Sequence, residues 1–204
     1  MAIEKGFFRQ VMGHFATGVT VVTTSNQGVL AGITVNAFCS VSLNPPLVLI
    51  CIDLTSTTLP ILRESKSFAV NILTAEQEHL SSGFATPNKE RFENFCNATY
   101  HTATTGSPIL DNALAFIDAH IVDEYPGGDH AIFIGQVEAL GTGSNMAFAC
   151  TSEEESINRT STEQGETSPL IFYEGQYRHL AAKYSSPTVA PQMEYNGNIE
   201  KPVH

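Results

Sequence analysis

Between two apolar runs the chain carries Thr34, Asn36, Ser40 and Ser42 at alternate or near-alternate positions. In an extended strand such residues share one face. That face would offer hydroxyls, an amide and exposed backbone N–H groups to a polar, planar ligand. The same pattern also fits an edge strand whose polar face meets water. Further on, Ser56, Thr57 and Thr58 follow an apolar run and open a helix. Hydroxyls with free N–H groups at a helix N-terminus suit a phosphate, and Ser56 alone suits a plain N-cap. The histidines show no metal-ligand spacing such as His-x-x-x-His. Neither Gly-x-Gly-x-x-Gly nor Gly-x-Ser-x-Gly occurs.

The elements that position these groups are read from periodicity. Phe8, Val11, Met12 and Phe15 fall at i, i+3, i+4 and i+7, one apolar helical face. Gly18 stops that helix. Val19 to Thr24 is rich in β-branched residues and predicts a strand. Ser25 to Gly28 is a turn, and Val29 to Asn36 returns as a second strand. Pro46 to Ile52 is a third, apolar on both faces. Ser56 caps a short helix through Leu62, with Pro60 near its first turn. Ser67 to Leu73 is another strand, and Thr74-Ala75-Glu76-Gln77 fits a capping box opening a helix through about Phe84. Asn88 to Phe92 starts a further short helix. Ala115 to Ile121 alternates as a strand, Pro126 to Asp129 is a turn, and His130 to Leu140 returns. Gly141 to Ser168 is polar and acidic and reads as an exposed, mobile loop outside the core. Pro169 to Tyr173 is the last core strand. Residues beyond about 184 read as a tail or dimer arm. Hairpin-linked strands with scattered short helices predict a mainly β fold, a closed or partly closed antiparallel barrel. The regular strand–helix alternation of a doubly wound sheet is absent.

At 204 residues the chain suits one domain with a sizeable core. Its net charge of −11 argues against nucleic acid and anionic membrane surfaces, which need a basic patch. No apolar run approaches a membrane span, and no signal peptide is visible. Cys39, Cys51, Cys96 and Cys150 lie far apart with no Cys-x-x-Cys pair, which fits a reducing cytoplasm.

Four segments, in order, resemble the flavin reductase-like family. They are Phe8 to Thr23 (FRQVMGHFATGVTVVT), Thr34 to Pro46, Ser67 to Leu73, and Gly128-Asp129-His130-Ala131-Ile132-Phe133-Ile134-Gly135. A closing Pro169-Leu170-Ile171-Phe172-Tyr173-x-Gly175-x-Tyr177 also fits. The resemblance spans about residues 7 to 180. It implies an FMN-binding split β-barrel with Greek-key connections and short peripheral helices over residues 1–184, assembled as a homodimer. It implies hydride transfer from NADH or NADPH to FMN or FAD, with reduced flavin passed to a flavin-dependent monooxygenase. Asn36, Ala37, Phe38, Cys39 and Ser40 match the segment along the flavin ring, with Thr34 beside it, and Ser42 fits a ribityl or phosphate contact. Ser56, Thr57 and Thr58 match the phosphate end. Thr57 stands where many relatives carry a basic residue, which leaves FMN against FAD open. Phe84, Ala85, Lys89, Arg91 and Phe92 match a loop that reaches the flavin, Lys89 or Arg91 offsetting phosphate charge. His130 matches the histidine facing the nicotinamide, and Tyr177 lines the same pocket. A turn histidine bonded to Asp129, and a flavin-binding protein without reductase turnover, are the competing readings.

Overall fold

A computed structural model describes residues 3–86, 93–142, 145–147 and 168–180. The first helix, α1 (Lys5–Gly13), is capped by Glu4, whose carboxylate accepts from the Gly6 and Phe7 N–H groups. It ends before Phe15, and none of its residues is buried. Phe7, Phe8, Val11, Met12 and Phe15 are all more than half exposed.

The strands then follow in order: β1 (Thr17–Gly18), β2 (Thr20–Asn26), β3 (Val29–Val35), β4 (Phe38–Leu43) and β5 (Pro46–Asp53). After α2 (Thr58–Ser65) and β6 (Ser67–Ile72) come a 3₁₀ turn (Ala75–Gln77) and α3 (Glu78–Ala85). The expected capping box is formed by Thr74 and Gln77. Then come β7 (Tyr100–Thr102), β8 (Pro108–Leu110), the long pair β9 (Ala115–Gly127) and β10 (His130–Thr142), β11 (Asn145–Ala147), β12 (Ile171–Tyr173) and β13 (Gln176–Arg178).

Every pairing is antiparallel. The main sheet runs β3-β2-β6-β9-β10-β5-β4, with β11 on β10; β1-β12-β13 and β7-β8 form two small sheets. The mainly β, partly closed barrel expected from the pattern is therefore what the chain builds. Its path is split, because β3 and β4 end the sheet without pairing to each other.

One core fills the inside of the curl. Val22, Ile50, Phe68, Val70 and Phe133 from its strands meet Leu59 and Leu62 of α2. A second core lies under α3, where Leu80 and Phe84 pack with Val19, Val21, Phe95 and Leu170. Successive residues of β2 thus feed opposite cores, and Val21 and Val22 are both fully buried. Gly135 on β10 makes room for Phe68, whose ring would lie 2.5 Å from a Cβ there.

Three expectations differ. β5 is not apolar-buried on both faces: Val48, Ile50 and Ile52 are buried, while Leu47, Leu49 and Cys51 are only half-buried. The β9–β10 turn narrows to Gly128–Asp129, because the pairing continues out to Gly127 and His130. The acidic segment begins in regular structure, since Asn145–Ala147 pairs back on Leu140–Thr142. The rest of that segment, the expected helix at 88–92 and the tail beyond residue 184 lie outside the described residues.

Asn71 on β6 is fully buried and satisfies three polar groups on two neighbouring strands, β2 and β8. Its amide donates to Val21 O and Thr23 Oγ1, both at 3.0 Å, and its carbonyl accepts from the Leu110 N–H at 2.8 Å. Removing it would strand buried donors and acceptors, each worth about 1–3 kcal/mol. Asn71→Ala should lower unfolding stability by about 2–4 kcal/mol, measured by denaturant titration. A loss under about 1 kcal/mol would mean the surrounding groups find other partners.

Candidate functional site

The polar segment expected as one strand face is divided. β3 stops at Val35, Asn36 and Ala37 form a link, and β4 starts at Phe38 at the other end of the sheet. The ends are nevertheless held close by that two-residue link. Cys51 N–H donates to Ala37 O at 3.1 Å, extending the β4–β5 pairing into the link, and Thr58 Oγ1 of α2 donates to Gly32 O of β3 at 3.2 Å.

Next to this seam lies a cleft of about 180 Å³ lined by Val19, Thr34, Asn36, Ser81, Ala85, Phe172 and Tyr177. Thr34, Asn36, Ala85 and Tyr177 were expected from the sequence; Ser81, Phe172 and Val19 were not. Ser81 sits one turn before Ala85 on α3, a spacing that puts both on one face. Its nearness to Thr34 and Tyr177 has no local signal. Thr34 Oγ1 donates to Ser81 O at 2.6 Å, and Ser81 Oγ lies 2.7 Å from Tyr177 OH. Phe172 meets Tyr177 edge-on at 5.7 Å.

β4 is an edge strand, paired on one side only by β5. Phe38 is half-buried, and Cys39 and Ser40 are exposed. A bulge between Ser40 and Ser42 breaks the alternation. Ser42 accepts from the Asn44 N–H at 3.2 Å and pairs opposite Leu47. It lies four residues from Phe38, about 13 Å further along an extended strand.

Two expected ligand side chains are interior. Phe84 is fully buried against Phe95, and its ring would be 2.6 Å from a Cβ on Gly32. Thr58 is fully buried, its hydroxyl spent on Gly32 O. The helix-terminal amides are spent as well. Thr58 N–H donates to Ser56 Oγ at 3.2 Å, Leu59 N–H donates to Ser56 O at 3.1 Å, and Pro60 has no N–H. Of the expected phosphate set, the exposed groups are the side chains of Ser56, which is half-buried, and Thr57. Lys89, Arg91 and Phe92 lie outside the described residues.

His130 starts β10 opposite Asp53, and its Nδ1 lies 2.7 Å from Asp129 Oδ1. The turn bond expected of a structural histidine is therefore present, and it leaves Nε2 as the outward ring nitrogen. His130 does not line the cleft that holds Tyr177. β10 carries His130 to the end of β5 that leads into Ser56. The His130 hydrogen bond, aided by imidazole charge, holds the Asp129 carboxyl below the usual range. Hydrogen bonds from the Thr55 hydroxyl and N–H do the same for Asp53.

The donor set fits an uncharged planar heterocycle with carbonyl and N–H edges. Among the described residues no carboxylate lines the cleft. Thr17, opposite Phe172 in the β1–β12 ladder, has a buried Oγ1 with no partner among the described residues. The Asn36 carboxamide is exposed at the rim with both donors and its acceptor to offer. No group of three or more His, Cys, Asp or Glu among the described residues is arranged to hold a metal. No helix among them is long and apolar enough to cross a membrane.

The fold is a split antiparallel barrel with a polar cleft at its seam. The match to known proteins is specific. Residues 12–181 match the model of the flavin reductase like domain, and the chain belongs to that family. The reductase component of 4-nitrophenol 4-monooxygenase/4-nitrocatechol 2-monooxygenase from Rhodococcus opacus is 38% identical over 148 residues, 72% of this chain and 78% of the relative. The solved structure of the flavin reductase PheA2 superposes with a TM-score of 0.71 at 37% identity, covering 88% of this chain and 99% of that one. The NADH:FAD oxidoreductase SgcE6 of Streptomyces globisporus, solved with NAD and FAD fragments, superposes with a TM-score of 0.70 at 30% identity, covering 88% and 94%.

Asp129 gives a direct check on the turn. Its lowered pKa means that the hydrogen-bonded form is present above the ordinary carboxylate range and is lost as pH falls through the lowered value. In His130→Ala the Asp129 carboxyl should titrate at higher pH than in the parent protein, followed by carbon NMR of the side chain. Identical titration curves would show that the pair is not formed in solution.

Proposed function

We propose that this chain is an NAD(P)H:flavin oxidoreductase that passes hydride from a nicotinamide to FMN or FAD and supplies the reduced flavin to a partner monooxygenase. The observation that carries this reading is the convergence of Thr34, Asn36, Ala85 and Tyr177 on one cleft at the Asn36–Ala37 link between β3 and β4. Family membership and the relatives' own names support it.

The bound flavin supplies the hydride acceptor and the nicotinamide the donor. The work left to the protein is holding, orienting and excluding water. The amide of Asn36 and the open backbone of β4 from Phe38 to Ser40, with Ala37 and Cys39, hold the polar edge of the ring. The Ser56 and Thr57 hydroxyls meet phosphate, with Lys89 or Arg91 to balance its charge. His130, held at Nδ1 by Asp129, presents Nε2 to the nicotinamide. The protein works as a homodimer in the cytoplasm: the exposed Phe7, Phe8, Val11, Met12 and Phe15 give a second copy an apolar face to cover.

Flavin fluorescence should be quenched on titration with protein in the tens of micromolar, about −6 kcal/mol. Anaerobic mixing with NADH should then bleach the flavin absorbance. Absence of quenching sinks the reading, and quenching without bleaching leaves a flavin-binding protein that does not turn over. His130→Ala should slow bleaching at subsaturating NADH more than it weakens flavin binding. An unchanged rate would return His130 to the role of a turn residue.

A further inference from the structure

The cleft contains a pair of hydroxyls whose protons can be assigned. Ser81 is fully buried, and its Oγ has one hydrogen-bond partner among the described residues, the Tyr177 phenol at 2.7 Å. If Tyr177 donated in this pair, the Ser81 proton would be buried with no acceptor, which is the costly state for a polar group. If Ser81 donates, its buried hydroxyl is satisfied and the phenolic proton is released toward the half-exposed side of Tyr177. Among the described residues the phenol makes no hydrogen bond to Asn36 or Thr34, the other polar side chains of the wall. Thr34 has already given its proton to Ser81 O, which also pins the α3 backbone that carries Ser81. Phe172 holds the phenol ring edge-on at 5.7 Å.

We propose that Ser81 donates to the Tyr177 oxygen and so positions the phenol O–H as a donor to an exocyclic carbonyl oxygen of a planar heterocycle in the cleft. The inference rests on the flavin reductase reading. A pyrimidine carbonyl of the flavin and the carboxamide of the nicotinamide share that chemistry. Tyr177 touches the ligand in this arrangement, and Ser81 acts through it as a positioning residue.

Tyr177→Phe removes the donor and keeps the ring. Ser81→Ala removes the group that orients it. Binding of FMN and FAD by fluorescence, the visible absorption band of the bound flavin, and the KM for NADH at saturating flavin are measured in the parent and in both variants. The parent's own affinities test the flavin reductase reading, and the ratios between variant and parent test this one. Tyr177→Phe should weaken one ligand by about 3- to 10-fold. A raised flavin Kd with a shifted absorption band and an unchanged KM identifies the flavin carbonyl. A raised KM with unchanged flavin binding and spectrum identifies the carboxamide. Ser81→Ala should weaken the same ligand in part, and should add nothing when combined with Tyr177→Phe. If both variants lower the melting temperature but leave every ligand ratio within about twofold, the pair is only structural and the proposal falls. If Tyr177→Phe does not fold, Ser81→Ala decides on the same readings.

Discussion

The constraint on which this structure depends is a two-residue link between the two ends of its main sheet. β3 and β4 are consecutive in sequence, yet they terminate opposite ends of a seven-strand path. Laid flat, such a path would separate them by about 29 Å. Asn36 and Ala37 can span only about 10 Å. The sheet therefore has to curl until its ends meet. Twist and bulges make this possible: β10 breaks register with β9 between Ile134 and Gly135 and again between Val137 and Ala139. At Gly135 the missing side chain admits the Phe68 ring, which fills the inside of the curl.

The seam left by that closure is also the candidate site. The two end strands approach but do not pair, so backbone and side-chain groups there stay available while those in the ladder are consumed. The Asn36–Ala37 link carries the chain across the gap; Cys51 N–H to Ala37 O extends the β4–β5 ladder into that link, and the Thr58 hydroxyl ties α2 to Gly32 O of β3. The outer wall is supplied by α3. Gly32 lets the Phe84 ring lie flush on β3, and the Thr34 hydroxyl ties the α3 backbone at Ser81. The small β1-β12-β13 sheet brings Phe172 and Tyr177 from the far end of the chain to complete it. Burial thus sorts the polar residues. Asn71, Thr23 and Thr58 hold the frame, whereas Asn36 and Tyr177 face the cleft.

An uncharged cleft in a chain of net charge −11 is consistent with that sorting. The carboxylates of the β9–β10 turn and the end of β5 are already engaged. Asp129 accepts from His130, and Asp53 accepts from the Thr55 hydroxyl and N–H, both at 2.7 Å. These engagements keep both acids ionised in the turn and loop beside Ser56, so any phosphate held there needs a cation to offset them. The first turn of α2 supplies no free N–H to help, because its donors are spent on Ser56.

What the sequence determined by itself was set by local chemistry. β-branched runs made β2, β3 and β6, Thr74 and Gln77 made the capping box that opens α3, and glycines with Asp129 made the β9–β10 turn. The resemblance of ordered motifs brought Thr34, Asn36, Ala85 and Tyr177 forward together, and the structure gathers them in one cleft. The alternation of Thr34, Asn36, Ser40 and Ser42 suggested one face, but a face belongs to a strand only while the strand continues. The break at Asn36–Ala37 and the bulge before Ser42 come from closing the sheet, a demand made by strands far away in sequence. Phe84 and Thr58 carry side chains suited to a ligand, but the missing side chain at Gly32 admits the Phe84 ring and the Gly32 carbonyl takes the Thr58 hydroxyl, so both are interior. Ser81 gained its place from the docking of α3 on β3 and of β13 on α3. Contacts of that separation leave no local pattern, so tertiary structure alone decided them.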